Sequence, residues 1–280
     1  MGAKARIWCN RCAVVLAVLV GLAALWMAPV PVGFKVSLTL VAAVVAGEIA
    51  FRHVPAFDPL GRIAWRLPGR LAGGKTCAIT FDDGPSPATE QVLDVLAQHH
   101  VHATFFVLAA NASRHPEVAK RLVTDGHTIA VHGNSHRKLH QASEAEIETE
   151  IRTAQATLQG LGIEPAPIYR SPHGLKNRRL FRVTRRLGLQ LWAWSRGIWD
   201  TDRPPAETLV ARATRFARDG MVLLLHDGRG DELAPDVSRM VEALPHILGE
   251  LQRRQFAFAT LATVDRQPMR SHDRAPADGS

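Results

Sequence analysis

Two adjacent carboxylates, Asp82 and Asp83, leave an apolar run in the stretch Thr80-Phe81-Asp82-Asp83-Gly84-Pro85. Acids set directly after a buried strand are costly unless they bind something. Gly84 and Pro85 force a turn at once, which fixes where the acids point. Successive residues leaving a strand face different ways, so the pair can divide the work. One can hold a metal while the other acts as a base. Taken alone, Asp-Asp-Gly-Pro would serve as a helix N-cap.

Fifty residues on, another apolar run ends in His132-Gly133-Asn134-Ser135-His136. Histidines at i and i+4 share a face if the segment turns helical, and they then chelate one divalent ion. The chain has 13 histidines, so the pair gains its weight from its place at a strand end. One Asp with two His leaves positions open for water and substrate, as a catalytic ion requires. The donor set suits zinc, and also cobalt, nickel or manganese. A third run leads into Arg170-Ser171-Pro172-His173-Gly174. Its arginine can orient a neighbouring carboxylate, and its turn offers backbone N–H groups to an oxyanion. A fourth run, Met221–Leu225, ends in His226-Asp227-Gly228, where His226 can be a general acid or simply a strand cap.

The elements that must position these groups alternate. Period and composition predict strands over Cys77–Phe81, Thr104–Leu108, Thr128–His132, Ile168–Arg170, Leu189–Trp194, Met221–His226 and Phe256–Ala259. Helices are predicted over Pro87–His99, Pro116–Asp125, Ser143–Leu161, Asn177–Leu187, Ala206–Asp219 and Asp236–Gln255. Ser143-Glu144-Ala145-Glu146 opens the third of these as a capping box. Such alternation implies a parallel sheet with helices outside, and about seven units suggest an α/β fold of the distorted (β/α) barrel kind. Active residues in such folds gather at the C-terminal ends of strands, where the motifs above lie.

The first fifty residues are different. Cys12–Val32 is almost wholly apolar and long enough to span a bilayer; a shorter run, Val36–Phe51, carries Glu48. Pro29 to Lys35 reads as a turn between them. Lys4, Arg6 and Arg11 precede the first run, and Arg52, Arg62, Arg66, Arg70 and Lys75 follow the second, with Lys35 between. The positive-inside rule then favours a two-helix hairpin in the cell (inner) membrane with the rest facing the cytoplasm. A single anchor with the rest outside is the alternative, and a cleaved signal peptide fits the long apolar region less well. The division is therefore 1–51 as membrane anchor, 52–74 as basic linker, 75–265 as the chemical domain and 266–280 as a disordered tail. The net charge of +8 points to anionic neighbours. No nucleic-acid-binding motif is present, so lipid or phosphate is favoured over nucleic acid. Cys9, Cys12 and Cys77 form no disulfide framework.

Together the four segments resemble the polysaccharide deacetylase family, the carbohydrate esterases with NodB homology, over about Lys75 to Asp265. The resemblance implies a distorted (β/α) barrel. It implies Asp82 as general base, Asp83, His132 and His136 as metal ligands, Arg170 as the arginine that positions the base, and His226 as general acid. His173 stands where the family usually has an aromatic residue whose backbone N–H helps hold the oxyanion. Pro172, Trp194 and Asp200 fall with it on the oxyanion and substrate side. In Trp194-Ser195-Arg196-Gly197-Ile198-Trp199-Asp200-Thr201, Asp200 matches one family acid, but Gly197 stands where the other is usual. Gly133 replaces a usual threonine. The implied activity is metal-dependent hydrolysis of an N-acetyl group from an N-acetylhexosamine in a polysaccharide, oligosaccharide or lipid-linked sugar, releasing acetate. The alternatives are another amide on the same fold, a formamide or cyclic imide, or an inactive membrane-bound glycan-binding protein. The basic stretch Lys176–Arg186 beside the site is either a lipid- or pyrophosphate-facing surface or a solvated helix face.

Overall fold

Residue by residue, the strands alternate between two environments, and this alternation builds the site. The computed structural model describes residues 26, 31–53, 58, 61–68 and 74–262. The sheet is parallel throughout, from β1 (Ile63–Ala64) and β2 (Lys75–Asp82) through β3 (Thr104–Leu108), β4 (Thr128–Gly133) and β5 (Ile168–Tyr169). It continues with β6 (Gln190–Trp192), β7 (Arg196–Gly197), β8 (Met221–His226) and β9 (Phe256–Phe258). Its order is β1-β6-β5-β4-β3-β2-β8-β7, with β9 attached to β2. The sheet curls into the distorted (β/α) barrel that the alternation predicts. The curled run from β6 to β7 holds seven strands. Its last member is the two-residue β7, whereas the predicted Phe256–Ala259 strand is a short addition beside Lys75–Cys77. Arg196–Gly197 carries no apolar run, so nothing local announces it.

Odd-numbered strand residues such as Cys77, Ile79, Phe81, Phe105, Val131 and Leu223 face the helices in the larger core. Even-numbered ones, Ala78, Phe106, Ala130, Ile168, Trp192 and Val222, fill the barrel interior. A period of two then carries Thr80 and Asp82, His132, Arg170, and His226 onto that same inner side at the strand ends. The outer layer contains α2 (Thr89–Gln98), α3 (Ala109–Arg114), α4 (Pro116–Thr124), α5 (Glu144–Gly160), α6 (Arg178–Arg186), α7 (Ala206–Thr214) and α8 (Ser238–Arg253). The capping box at Ser143 and Glu146 is present. Burial pushes the Cys77 thiol up to about 12, so it is an inert core residue.

Before the barrel lies α1, Val32–His53. Residues Val32–Ala50 are long and apolar enough to cross a membrane, with a mean hydropathy of 1.8 and none of that window buried. The helix starts earlier than its apolar run, taking in Gly33, Phe34 and Lys35, which read as turn. Pro31 sits just ahead of it, where a missing N–H costs nothing, and its carbonyl accepts from Phe34 N at 3.0 Å. Most of the first apolar run, Cys9 and Cys12, much of 52–74 and the 266–280 tail lie outside the described residues. Trp26 donates from its indole to Thr39 Oγ1 at 3.2 Å, against α1.

The described part of 52–74 is fastened to the barrel rather than slack. Asp58 accepts from Ile63 N at 3.0 Å and from Arg62 Nη2 at 3.1 Å. Ile63 pairs with Leu191 as β1 meets β6, and Leu67 N donates to Gly220 O at 2.9 Å.

Candidate active site

Asp82 ends β2 inside the barrel. Arg170 Nη1 donates to its Oδ1 at 2.7 Å and to Thr80 Oγ1 at 2.9 Å, while Nη2 donates to Ala193 O at 2.9 Å. The guanidinium is fully buried and lies 3.8 Å from the centre of the Phe106 ring. A charge buried this deeply is tolerable only with such partners, so Arg170 and Asp82 hold each other in place. Trp194 flanks the same guanidinium at 5.6 Å.

Asp83 breaks the strand with a left-handed backbone, φ 74°, and so turns into the mouth as well. Gly230 N donates to its Oδ2 at 2.9 Å. Its Oδ1 is buried without a hydrogen-bond partner, 3.2 Å from His132 Nε2 and 3.0 Å from His136 Nε2. His132 Nδ1 lies 2.9 Å from Arg170 O; it must carry the proton there, which leaves Nε2 bare. One donor atom from each of Asp83, His132 and His136 lies within 4.8 Å of the others. An orphaned carboxylate oxygen facing bare imidazole nitrogens fits a divalent ion with nitrogen–oxygen ligands. Burial alone would raise the Asp83 carboxyl. Where the facing imidazoles are protonated instead, their hydrogen bonds and charge, with the charge of His226, outweigh that and hold it well below the usual range.

His132 and His136 do not share a helix. Gly133 (φ 110°) and His136 (φ 57°) take left-handed backbone, and the bend folds the second histidine back over the first. Glu150 of α5 secures that bend, accepting from Asn134 N at 2.9 Å and Ser135 N at 2.6 Å. The rings of His136 and His173 lie 4.3 Å apart. His173 occupies a short 3-10 turn, Pro172–Gly174, also with left-handed backbone. Pro172 is buried under this turn, and a Cβ at Gly133 would lie 3.8 Å from its ring, so it supports the loop.

Opposite, Asp200 follows β7 and grips His226 at two points: Oδ2 accepts the backbone N–H at 2.7 Å, and Oδ1 lies 3.0 Å from Nδ1. Partial burial alone would lower the His226 pKa. The Asp200 charge and hydrogen bond, with Asp83 and Asp82 behind, push it up to about 9. His226 is therefore a protonated acid at neutral pH.

Further residues complete the site without any local signal. Asn111 Nδ2 donates to Asp83 O at 2.7 Å and to Gly230 O at 2.9 Å, tying the β2 and β8 loops together. A Cβ at Gly84 would run into the Asp227 carboxylate, and one at Gly228 into the Asp83 carbonyl. Asp227 itself is buried, pushed up to about 7 by that burial, and accepts from Thr89 Oγ1 at 2.7 Å.

Comparison with known proteins agrees with this architecture. The family model described as polysaccharide deacetylase matches residues 70–192. A peptidoglycan-N-acetylglucosamine deacetylase of Bacillus cereus is 34% identical over 210 residues, covering 74% of this chain and 94% of that protein. A chitooligosaccharide deacetylase of a Bradyrhizobium species is 35% identical over 208 residues, covering 71% of this chain and 94% of its own. The crystal structure of a peptidoglycan N-acetylglucosamine deacetylase in complex with 4-naphthalen-1-yl-N-oxidanyl-benzamide superposes with a TM-score of 0.67 at 29% identity, over 72% of this chain and 92% of that one. The chain belongs to the polysaccharide deacetylase family and is a hydrolase of N-acetyl amide bonds.

Proposed function

We propose that this chain is a metal-dependent glycan N-deacetylase, held at the inner membrane by its N-terminal region, that removes acetate from a lipid-linked N-acetylhexosamine. The observation that carries the metal-dependent chemistry is the unpartnered Asp83 Oδ1 between two imidazole Nε2 atoms, beside an Asp82 held by Arg170. Asp83, His132 and His136 hold the ion, with zinc as the first choice and cobalt, nickel or manganese as substitutes. When bound there, the ion polarises the amide carbonyl and favours ionisation of water.

Every other duty falls to side chains of this chain. Asp82 takes a proton from the attacking water as its oxygen bonds to the carbonyl carbon. Arg170 fixes the Asp82 carboxylate by Oδ1, which leaves Oδ2 3.7 Å from His132 Nε2, beside the residues that would hold the ion. The backbone N–H of His173 donates to the oxyanion. His226, charged by Asp200, gives its proton to the amide nitrogen as the carbon–nitrogen bond breaks, and acetate and a free amine leave. Trp194, on the arginine side, shapes the pocket for the sugar.

The membrane reading rests on α1 and on the short connection after it. Four residues, 54–57, separate His53 at the helix end from Asp58, which is already bonded to the barrel. They span at most about 18 Å. A domain held on so short a connection meets a lipid-linked sugar more readily than a distant polymer. Charge flanking the apolar runs favours the cytoplasmic side.

Acetate release by metal-replete, detergent-solubilised protein tests this reading. The panel pairs N-acetylglucosamine oligomers with a lipid-linked N-acetylhexosamine, and Asp82→Asn is the control. Release that vanishes in the control with metal content unchanged supports it; near-normal turnover by the control removes Asp82 from the role of base. Preference for the oligomers would move the domain to the outer face.

A further inference from the structure

We propose that the groove between β7 and α7 binds a diphosphate attached to the sugar substrate; this rests on the deacetylase reading above. The groove encloses about 600 Å³ and is lined by Arg196 and Trp199 on one side and by Glu207, Arg212, Arg215 and Phe216 on the other. It reaches Trp199, the residue next to Asp200 in sequence, while Asp200 and His226 themselves line a separate small cavity.

Its charge is not balanced from within. Arg196 and Arg215 place their guanidinium carbons 5.3 Å and 5.1 Å from the same Phe216 ring, so two cations flank one aromatic side chain. Arg196 Nη2 is buried and has no hydrogen-bond partner. Arg212 donates once, to Ile198 O at 3.0 Å. Among the described residues, none of the three arginines forms an ion pair, and Glu207 is the single acid in the lining. The lining thus carries two uncompensated positive charges. A lone carboxylate would neutralise half of that; a diphosphate matches it, and guanidinium forks bind phosphate oxygens in pairs. Trp199 and Phe216, 45% and 59% exposed, present flat apolar faces beside the cations, where a sugar ring can stack. The diphosphate could join the sugar to a polyprenol or to a nucleotide, and the chemistry recognised is the same.

The test uses the full-length, zinc-loaded chain in detergent, wild type against Arg196→Gln/Arg215→Gln. Inorganic pyrophosphate is titrated calorimetrically into both; binding at the metal would be equal in the two proteins, so the difference reports the groove. Acetate release is then followed on a polyprenol-diphosphate N-acetylhexosamine, the same sugar on a nucleotide diphosphate, and a neutral N-acetylglucosamine tetramer. The double variant is expected to bind pyrophosphate about tenfold more weakly, and to lose about tenfold in kcat/KM, through KM, on the diphosphate substrates alone. A larger loss on the polyprenol or on the nucleotide names the source. Equal pyrophosphate affinity in the two proteins, or an equal loss on the neutral tetramer, overturns the proposal. If wild type releases acetate from none of the three, the deacetylase reading fails, and the titration still decides whether the groove binds diphosphate.

Discussion

The two walls of the barrel mouth are secured in different ways. On the β2, β4 and β5 side, three groups are buried and bonded from behind, Asp82 by Arg170, His132 by the Arg170 carbonyl and Asp83 by Gly230 N of the β8 loop, while His136 is partly exposed. On the β7 and β8 side a single carboxylate, Asp200, holds His226, and the chain then opens into exposed Trp199 and an arginine with an unpartnered Nη2. The first wall is the more tightly held, as befits groups whose geometry sets the reaction. The second has room and unspent charge, as befits the part that chooses a substrate.

The largest effect should come from breaking the first wall at its centre. Arg170→Leu leaves Asp82 charged and unpaired inside the barrel. Removing one partner of a buried pair typically costs about 3–5 kcal/mol, and turnover should fall by about a thousandfold. Denaturant unfolding and acetate release check the two losses. Retained activity in a stable variant would show that Asp82 is positioned by something else.

On the second wall, Asp200→Asn should act through pH. With His226 raised to about 9, activity that needs the protonated ring persists through neutral pH and is lost as pH rises through about 9. Without the Asp200 charge the alkaline limb slides toward the ordinary histidine value of about 6.5, so at pH 8 the loss is tenfold or more, roughly, and shrinks on acidification. The same pair contributes to stability in the same direction. Its contribution is complete below the unfolded histidine pKa and disappears as pH rises through about 9. A pH–rate profile of the variant that merely drops, without moving its alkaline limb, would remove Asp200 from this role.

How much of this the sequence discloses depends on how local the signal is. Asp82, His132 and His226 are legible because each follows an apolar run of strand length, and the even spacing of Ala78, Thr80 and Asp82 places the acid inside; Arg170 follows only the two-residue β5. Asn111, Glu150 and Gly230 are not legible: Asn111 meets Asp83 and Gly230 from 28 and 119 residues away, and nothing in their own neighbourhoods marks them. β1 and β7 are two residues each, too short for any period to show. The His132–His136 pair is legible as a pair but not in its geometry, since left-handed backbone at Gly133 and His136, rather than a helical turn, brings the rings together. Asp227 follows His226 directly in sequence, yet it is buried beneath Gly84.

A finer break of the first wall is Gly228→Ala. The added methyl would meet the Asp83 carbonyl and shift the loop that carries a ligand, without touching a ligand itself. Metal affinity should fall about tenfold, as for other disturbed supporting contacts. Metal titration of the variant against wild type measures it, and unchanged affinity would mean the β2 and β8 loops yield more easily than their interlock suggests.

The smallest effect belongs to the other arginine-rich surface, and it sharpens the contrast with the groove. Helix α6 is densely basic in sequence, yet Arg178 pairs with Glu48, Arg182 with Glu144, and Arg186 with Glu144 and Glu148. Three of its five arginines are already answered by acids of α5 and α1, and Arg179 donates to the Ala142 carbonyl, so a phosphate arriving at those three would have to displace the acids. Exposed pairs of this kind contribute little and are screened by salt. Arg182→Gln/Arg186→Gln should leave KM for diphosphate-linked and neutral substrates alike unchanged, where Arg196→Gln/Arg215→Gln separates them. A selective rise in KM from the α6 variant would transfer the anion site to that helix, and would show that counting unpaired charge is not how this protein marks its substrate.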